Sequence, residues 1–224
     1  MRKCKKIYIN NIKGMKTVNI DFVKLLRDSN ISPKLKGLEE IGYSLDTNVI
    51  EGDKILLYKD ERIKSIIVIV KGLDDITKDF NIFKIPNIVN EANNIVKNGE
   101  INIKTILQKY NEYNIIFIGH SLGGHIINKN LKNTKYNCYT YNPFFPIHLE
   151  DTASKNIKNY RTSGDILSIV PIGKEIETIN IDIIKYLLNN KFNIINYFKD
   201  SHFTTILDLN NISLNIGIPV YTEI

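Results

Sequence analysis

The chain has 224 residues, 43% hydrophobic and 24% charged, a balance that excludes a disordered polypeptide and suits one hydrophobic core in a single domain over 1–224. No window reaches the roughly 18 to 20 uninterrupted apolar residues of a membrane span, and Asn10, Asn11 and Lys13 break the apolar stretch after a basic start, so neither a spanning helix nor a signal peptide is expected and a cytoplasmic location follows. The net charge of +6 comes from lysines spread along the whole chain with only 4 Arg, in a composition (42 Ile, 29 Asn, 2 Ala) that follows AT-rich codons; a nucleic-acid partner is not expected, while weak attraction to an anionic lipid surface is compatible with the charge.

Residues 1–50 carry no recognisable motif. Lys54 to Tyr58 and Ser65 to Val70 read as neighbouring strands joined by the charged turn Lys59 to Arg62, and the second is unbroken isoleucine and valine, as in a strand covered on both faces. Two helical patterns follow: Ile88, Val89, Ala92, Ile95 and Val96, then Ile103, Ile106, Leu107 and Tyr110, punctuated by Gly99. Asn114 to Ile118 is again a strand. Leu122, Ile126, Ile127 and Leu131 have helical spacing, and a short strand lies around Cys138 to Tyr141. Alternation of strand and helix predicts an α/β fold with a mostly parallel central sheet flanked by helices, whose working loops lie at the carboxyl ends of the strands. Past residue 175, Ile176, Ile179 and Ile181 extend the sheet and Ile183 to Leu188 reads as a helix.

Between the strand at 114–118 and the helix from Leu122 stands Gly119-His120-Ser121-Leu122-Gly123, followed by Gly124. This is the G-x-S-x-G nucleophile elbow, in the strand–turn–helix setting that gives the pattern its meaning. A serine hydroxyl needs a base to take its proton as it attacks, normally a histidine oriented by a carboxylate, and on α/β-hydrolase sheets these follow the serine in the order acid, then histidine. Of the four histidines, His120 lies inside the elbow, His125 one helical turn beyond it, and His148 ahead of the best acids; His202 is left as the base. Asp165, after a short β-prone stretch and Gly164, is the expected acid, with Asp182 and Asp200 as rivals. The oxyanion needs N–H donors from the residue after the nucleophile, Leu122, and from the loop after an earlier central strand, where Lys71-Gly72-Leu73 supplies Leu73. Cys4 and Cys138 are isolated, which provides neither a disulfide framework nor a metal motif, and no cofactor or metal is expected.

From Ser65 to about Pro146 these motifs together resemble the class 3 lipases of the α/β-hydrolase superfamily. Lys71-Gly72-Leu73 is similar to that family's Arg-Gly-Thr or Arg-Gly-Ser at a strand end, Asp79-Phe80 to its Asp-Trp, Ile118 to Gly124 to its nucleophile signature, and Thr140-Tyr141-Asn142-Pro143 to the close of its next strand. The resemblance implies a single α/β-hydrolase-like domain and a triad of Ser121, Asp165 and His202 cleaving carboxylic esters, above all acyl chains of lipids, through an acyl-enzyme. It also implies a lid or substrate-facing segment over Asp74 to Pro86, with Ile76, Phe80 and Phe83 among its apolar residues. Leu73 departs from the family pattern because it offers only a backbone N–H where Thr or Ser adds a hydroxyl, and one lost donor in such a hole costs about 3 kcal/mol. Two alternatives remain open at this level: a catalytically weak or inactive binding or structural protein that keeps the fold, and a thioesterase or acyltransferase with the same triad.

Overall fold

The computed structural model describes residues 14–48, 54–72, 85–144, 154–165, 176–189, 207 and 212–222. Strand β1 (Met15–Asp21) leads into helix α1 (Phe22–Ile31), whose start is fixed by Asp21: its Oδ1 accepts from the N–H groups of Val23 (3.0 Å) and Lys24 (3.3 Å). Phe22, Val23, Leu25, Leu26 and Ser29 form the buried stripe of α1, the spacing one helical face requires. The short helix α2 (Lys36–Glu39) and β2 (Ser44–Leu45) follow.

The central sheet comes next. Strand β3 (Ile55–Asp60) folds back antiparallel onto β4 (Ser65–Val70) through one 3₁₀ turn, Glu61–Ile63, which Asp60 caps by accepting from Arg62 N–H and which Lys64 closes in the left-handed region at φ 45°. Helix α3 (Ile85–Lys109), β5 (Asn114–His120), α4 (Leu122–Leu131) and β6 (Asn137–Tyr141) then alternate, and β7 (Ile157–Thr162) and β8 (Ile176–Ile179) complete the sheet before α5 (Ile183–Asn189). Among the described residues the strand order is β2-β3-β4-β5-β6-β7-β8, parallel from β4 onward. Each parallel neighbour needs a crossover, so the carboxyl ends of β4 to β8 all open on one edge.

Period-two alternation divides the central strands between two cores. Ile67 and Ile69 of β4 with Ile116 and Ile118 of β5 meet Phe22, Leu25 and Leu26 of α1, whereas Ile66, Val68, Val70, Ile115 and Phe117 meet Ile103 and Ile106 of α3 and Ile126, Ile127 and Leu131 of α4. All six residues of β4 are buried, so the unbroken apolar run is that of a strand covered twice. Burial of each such side chain contributes about 1.5–3 kcal/mol, the main support of the sheet. The fold is therefore α/β, a mostly parallel central sheet flanked by helices.

Two features differ from the sequence reading. Gly99 does not divide two helices: α3 is continuous, and α4 packs against it at Gly99, where a Cβ would stand 2.8 Å from Ile126 Cδ1. The preference for a side-chain-free surface at that crossing outweighs the roughly 1 kcal/mol that glycine costs inside a helix. Second, β1 pairs antiparallel with β9 (Asn215–Tyr221) in a separate two-stranded sheet that no motif announced. No described helix is long and apolar enough to cross a membrane.

Candidate functional site

Strand β5 delivers His120 to the sheet edge and the chain turns through Ser121 into α4. Ser121 holds φ 52° and ψ −121°, a conformation that side-chain-bearing residues rarely adopt, and although it occupies the N-cap position its side chain does not cap the helix. The bend is held by main-chain bonds. Ser121 N–H donates to the Tyr141 carbonyl (3.2 Å), and its own carbonyl accepts from His125 N–H (3.1 Å) and Phe144 N–H (2.9 Å).

The glycines around it are a matter of space. A Cβ on Gly123 would lie 2.0 Å from the Val70 carbonyl oxygen, one on Gly119 would lie 2.9 Å from the Gly123 carbonyl carbon, and one on Gly124 would lie 2.9 Å from Pro143 Cβ. Helix α4 thus begins jammed between the ends of β4 and β6, which is why strand, turn and helix can follow each other so tightly.

The loop leaving β4 reaches the serine from the other side. A Cβ on Gly72 would stand 3.0 Å from Ser121 Cβ and 3.1 Å from the His120 carbonyl oxygen, so Gly72 backbone lies directly against the elbow. Leu122 is the first residue of α4, where N–H groups have no acceptor within the helix. Lys71, just before Gly72, is buried, and its N–H donates to the Lys54 carbonyl (2.8 Å). Leu73, expected as the second donor, lies outside the described residues, as do Ile76, Phe80 and Phe83.

On the far side of Ser121, β6 and β7 end together. Asn142, in the left-handed region at φ 43° and fully buried, accepts from Thr162 N–H at 2.8 Å, while its own N–H donates to the Tyr160 carbonyl at 2.7 Å. This locks the two strand ends in register. Asp165 follows at the end of β7, 1% exposed, with its N–H donating to the Thr162 carbonyl at 3.1 Å. Its carboxylate is close enough to Tyr141 that, after burial itself, its charge helps to push that phenol above the usual range. The ring of Tyr141 in turn stacks on His120, with centroids 5.8 Å apart. Ser121, His120, Tyr141 and Asp165 therefore belong to one buried patch at the carboxyl edge of the sheet. The rival Asp182 is exposed, ahead of α5. Asp200, His148 and His202 lie outside the described residues.

Sequence reasoning did not single out Tyr141, Asn142 and His120 as the residues packed at this edge between Ser121 and Asp165. The signal available was position alone: each sits at the carboxyl end of a central strand. His125, on the buried side of α4, has its pKa lowered to about 4, by burial first and Lys129 next, and its Nδ1 has no hydrogen-bond partner among the described residues. Among those residues no group of three or more His, Cys, Asp or Glu is gathered as a metal ion would need.

No family model matches the chain, and no curated protein does. Solved structures do. The Lip2 lipase of Yarrowia lipolytica is 16% identical, over 75% of this chain and 83% of that one, with a TM-score of 0.41. A lipase of Rhizopus microsporus var. chinensis is 17% identical over 73% and 74% of the two chains, with a TM-score of 0.40. Rhizomucor miehei lipase in a complex with its propeptide is 13% identical over 70% and 66%, with a TM-score of 0.41. These are lipases, as are the proteins that the motif order in the sequence resembles. Identities this low concern the course of the chain and do not identify its reacting groups.

Proposed function

We propose that the protein is a serine hydrolase of carboxylic esters whose preferred substrates are acyl esters of lipids. The observation that carries this reading is the conformation of Ser121: positive φ, at a strand-to-helix bend, with Gly72 backbone packed against it. Strain at a residue that has a side chain is retained where surrounding structure enforces it, and here three glycines and three main-chain bonds do so.

In the proposed reaction Ser121 Oγ attacks the ester carbonyl carbon while the His202 imidazole takes the hydroxyl proton, and Asp165 holds the ring and stabilises its positive form. The carbonyl oxygen becomes an oxyanion, accepting from the N–H groups of Leu122 and Leu73. Collapse expels the alcohol, which takes the proton from His202, and water then releases the acid by the same route in reverse. Asp165 is favoured over Asp182 because it is buried in the patch that contains Ser121, where its charge is felt by Tyr141. For His202, its position in chain order after Ser121 and Asp165 is the support.

A fluorophosphonate probe tests the reading directly. Wild type is expected to be labelled, Ser121→Ala unlabelled, and His202→Ala and Asp165→Asn slowed by about 10³-fold or more. A folded wild type that resists labelling removes the proposal.

A further inference from the structure

Strand β5 alternates its side chains between the two cores, with Ile116 and Ile118 towards α1 and Ile115 and Phe117 towards α3, so His120 falls on the α1 side of the sheet. Its register partner on β6 is Tyr141, and the two rings stack with centroids 5.8 Å apart and 25° between their planes. Tyr141 is fully buried in the α1-side core, and its carbonyl accepts from Ser121 N–H, so this ring is a fixed support at the elbow. His120 itself is only 6% exposed.

On the other side of His120 runs the loop that leaves β4. Val70 pairs with Gly119, which sets Lys71 and Gly72 beside His120 and Ser121. A Cβ on Gly72 would enter a space walled by Ser121 Cβ at 3.0 Å, the His120 carbonyl oxygen at 3.1 Å and His120 Nδ1 at 3.6 Å. The first two walls belong to the nucleophile and the main chain of the elbow. The third is a ring, which a substitution removes while leaving both of the others in place. One residue earlier the backbone is fixed, because Lys71 N–H donates to the Lys54 carbonyl (2.8 Å). Past that anchor, the His120 ring is a side-chain surface against which the loop rests. In the reaction proposed above, the peptide that follows Gly72 supplies an oxyanion donor. Such a donor works because it is aimed before charge develops, and its bond weakens steeply once the angle is lost.

We propose that His120 is a positioning residue: its ring, stacked on Tyr141, backs the main chain at Gly72 and so holds the oxyanion donor of that loop against Ser121. The proposal rests on the hydrolase reading above. His120 acts through Gly72, by shape. The full chain is assayed with a short soluble p-nitrophenyl ester and with an alkyl trifluoromethyl ketone, which a serine nucleophile converts to a tetrahedral oxyanion adduct. His120→Ala is expected to lower kcat by about tenfold or more with KM within about twofold, and to weaken the ketone in step with kcat, since only interactions made in the transition state are lost. His120→Phe restores a ring and should keep kcat and ketone affinity within about threefold of wild type. A loss of stability alone lowers the folded fraction, and in folded protein it leaves kcat and ketone affinity unchanged. Should His120→Ala fold poorly, a structure of the wild-type ketone adduct decides: the ring still against Gly72 supports the proposal, and Gly72 main chain moved off the ring overturns it. An active wild type whose folded His120→Ala variant keeps kcat and ketone affinity, or whose His120→Phe variant is as impaired as His120→Ala, overturns the positioning role and leaves the hydrolase. A folded wild type that neither turns over the ester nor binds the ketone removes the hydrolase reading, and the positioning role with it.

Discussion

Ser121 owes its position to its neighbours' lack of side chains, and Gly123 is the most demanding of them. An added methyl would lie 2.0 Å from the Val70 carbonyl oxygen, a main-chain atom that moves only with β4. Gly123→Ala is expected to cost about 3 kcal/mol or more, and urea unfolding should show it as a lower midpoint. His125 makes a different prediction. Its folded pKa of about 4 lies below the ordinary 6.5, so the unfolded chain takes up the proton first as the medium is acidified. Proton uptake thus takes nothing from stability above pH 6.5, and stability is lost as pH falls from 6.5 towards 4. The total approaches about 3 kcal/mol, at 1.36 kcal/mol per pH unit. The groups acting on the ring beside burial are Lys129, which lowers its pKa, and Glu100, which raises it. His125→Phe should flatten the stability profile between pH 6.5 and 4 relative to wild type, and an unchanged slope would show that His125 is not the group responsible.

At the scale of elements, helix α4 is the working part, wedged among β4, β6 and α3. Its contact with α3 depends on Gly99, whose missing side chain leaves room for Ile126. Gly99→Ala gains about 1 kcal/mol of helix propensity, but puts a methyl 2.8 Å from Ile126 Cδ1 in a place that is 1% exposed and has no slack. The single variant is expected to be less stable by about 1 kcal/mol, while in an Ile126→Val background, which removes Cδ1, the same change becomes neutral or stabilising. A double-mutant cycle on unfolding free energies measures that coupling. On its other side α4 is held by a polar seam: Asn128 Nδ2 donates to the Gly124 carbonyl (2.9 Å) and to Asn159 Oδ1 (2.9 Å), which also accepts from Thr140 Oγ1 (2.5 Å). One amide thereby ties the helix that follows Ser121 to β6 and to β7, the strand that precedes Asp165. Loss of Asn159 leaves a buried amide and a buried hydroxyl to find other partners, so Asn159→Leu should destabilise by about 1–3 kcal/mol in chemical denaturation.

For the molecule as a whole, the small β1–β9 sheet brings distant parts of the chain together. Tyr43 fastens it to the main sheet, its hydroxyl bonding Ser65 Oγ (2.8 Å) and the Pro219 carbonyl (2.7 Å). Tyr43→Phe is expected to cost about 1–2 kcal/mol in urea unfolding, since buried Ser65 loses a partner. How legible all this is in the sequence follows from range. Strands β3 to β6 and helix α4 announce themselves through unbroken apolar runs and helical spacing, because each has a local period, and the elbow is local too. What joins β1 to β9 is pairing across some two hundred residues, which leaves no local pattern. Gly99 misleads because a glycine that ends a helix and one that admits a neighbouring helix look alike until the neighbour is present. Asp165 is expected from strand and turn, whereas the reach of its charge to Tyr141 depends on how β6 and β7 line up. Finally, glycine codons begin with two guanines, so in a chain drifting towards adenine and thymine every glycine runs against the mutational current. Gly72, Gly119, Gly123 and Gly124 crowd around a single serine although the whole chain has only 12 glycines. The composition thus yields to nucleotide pressure along most of the chain and resists it where a lone methyl group would close the bend.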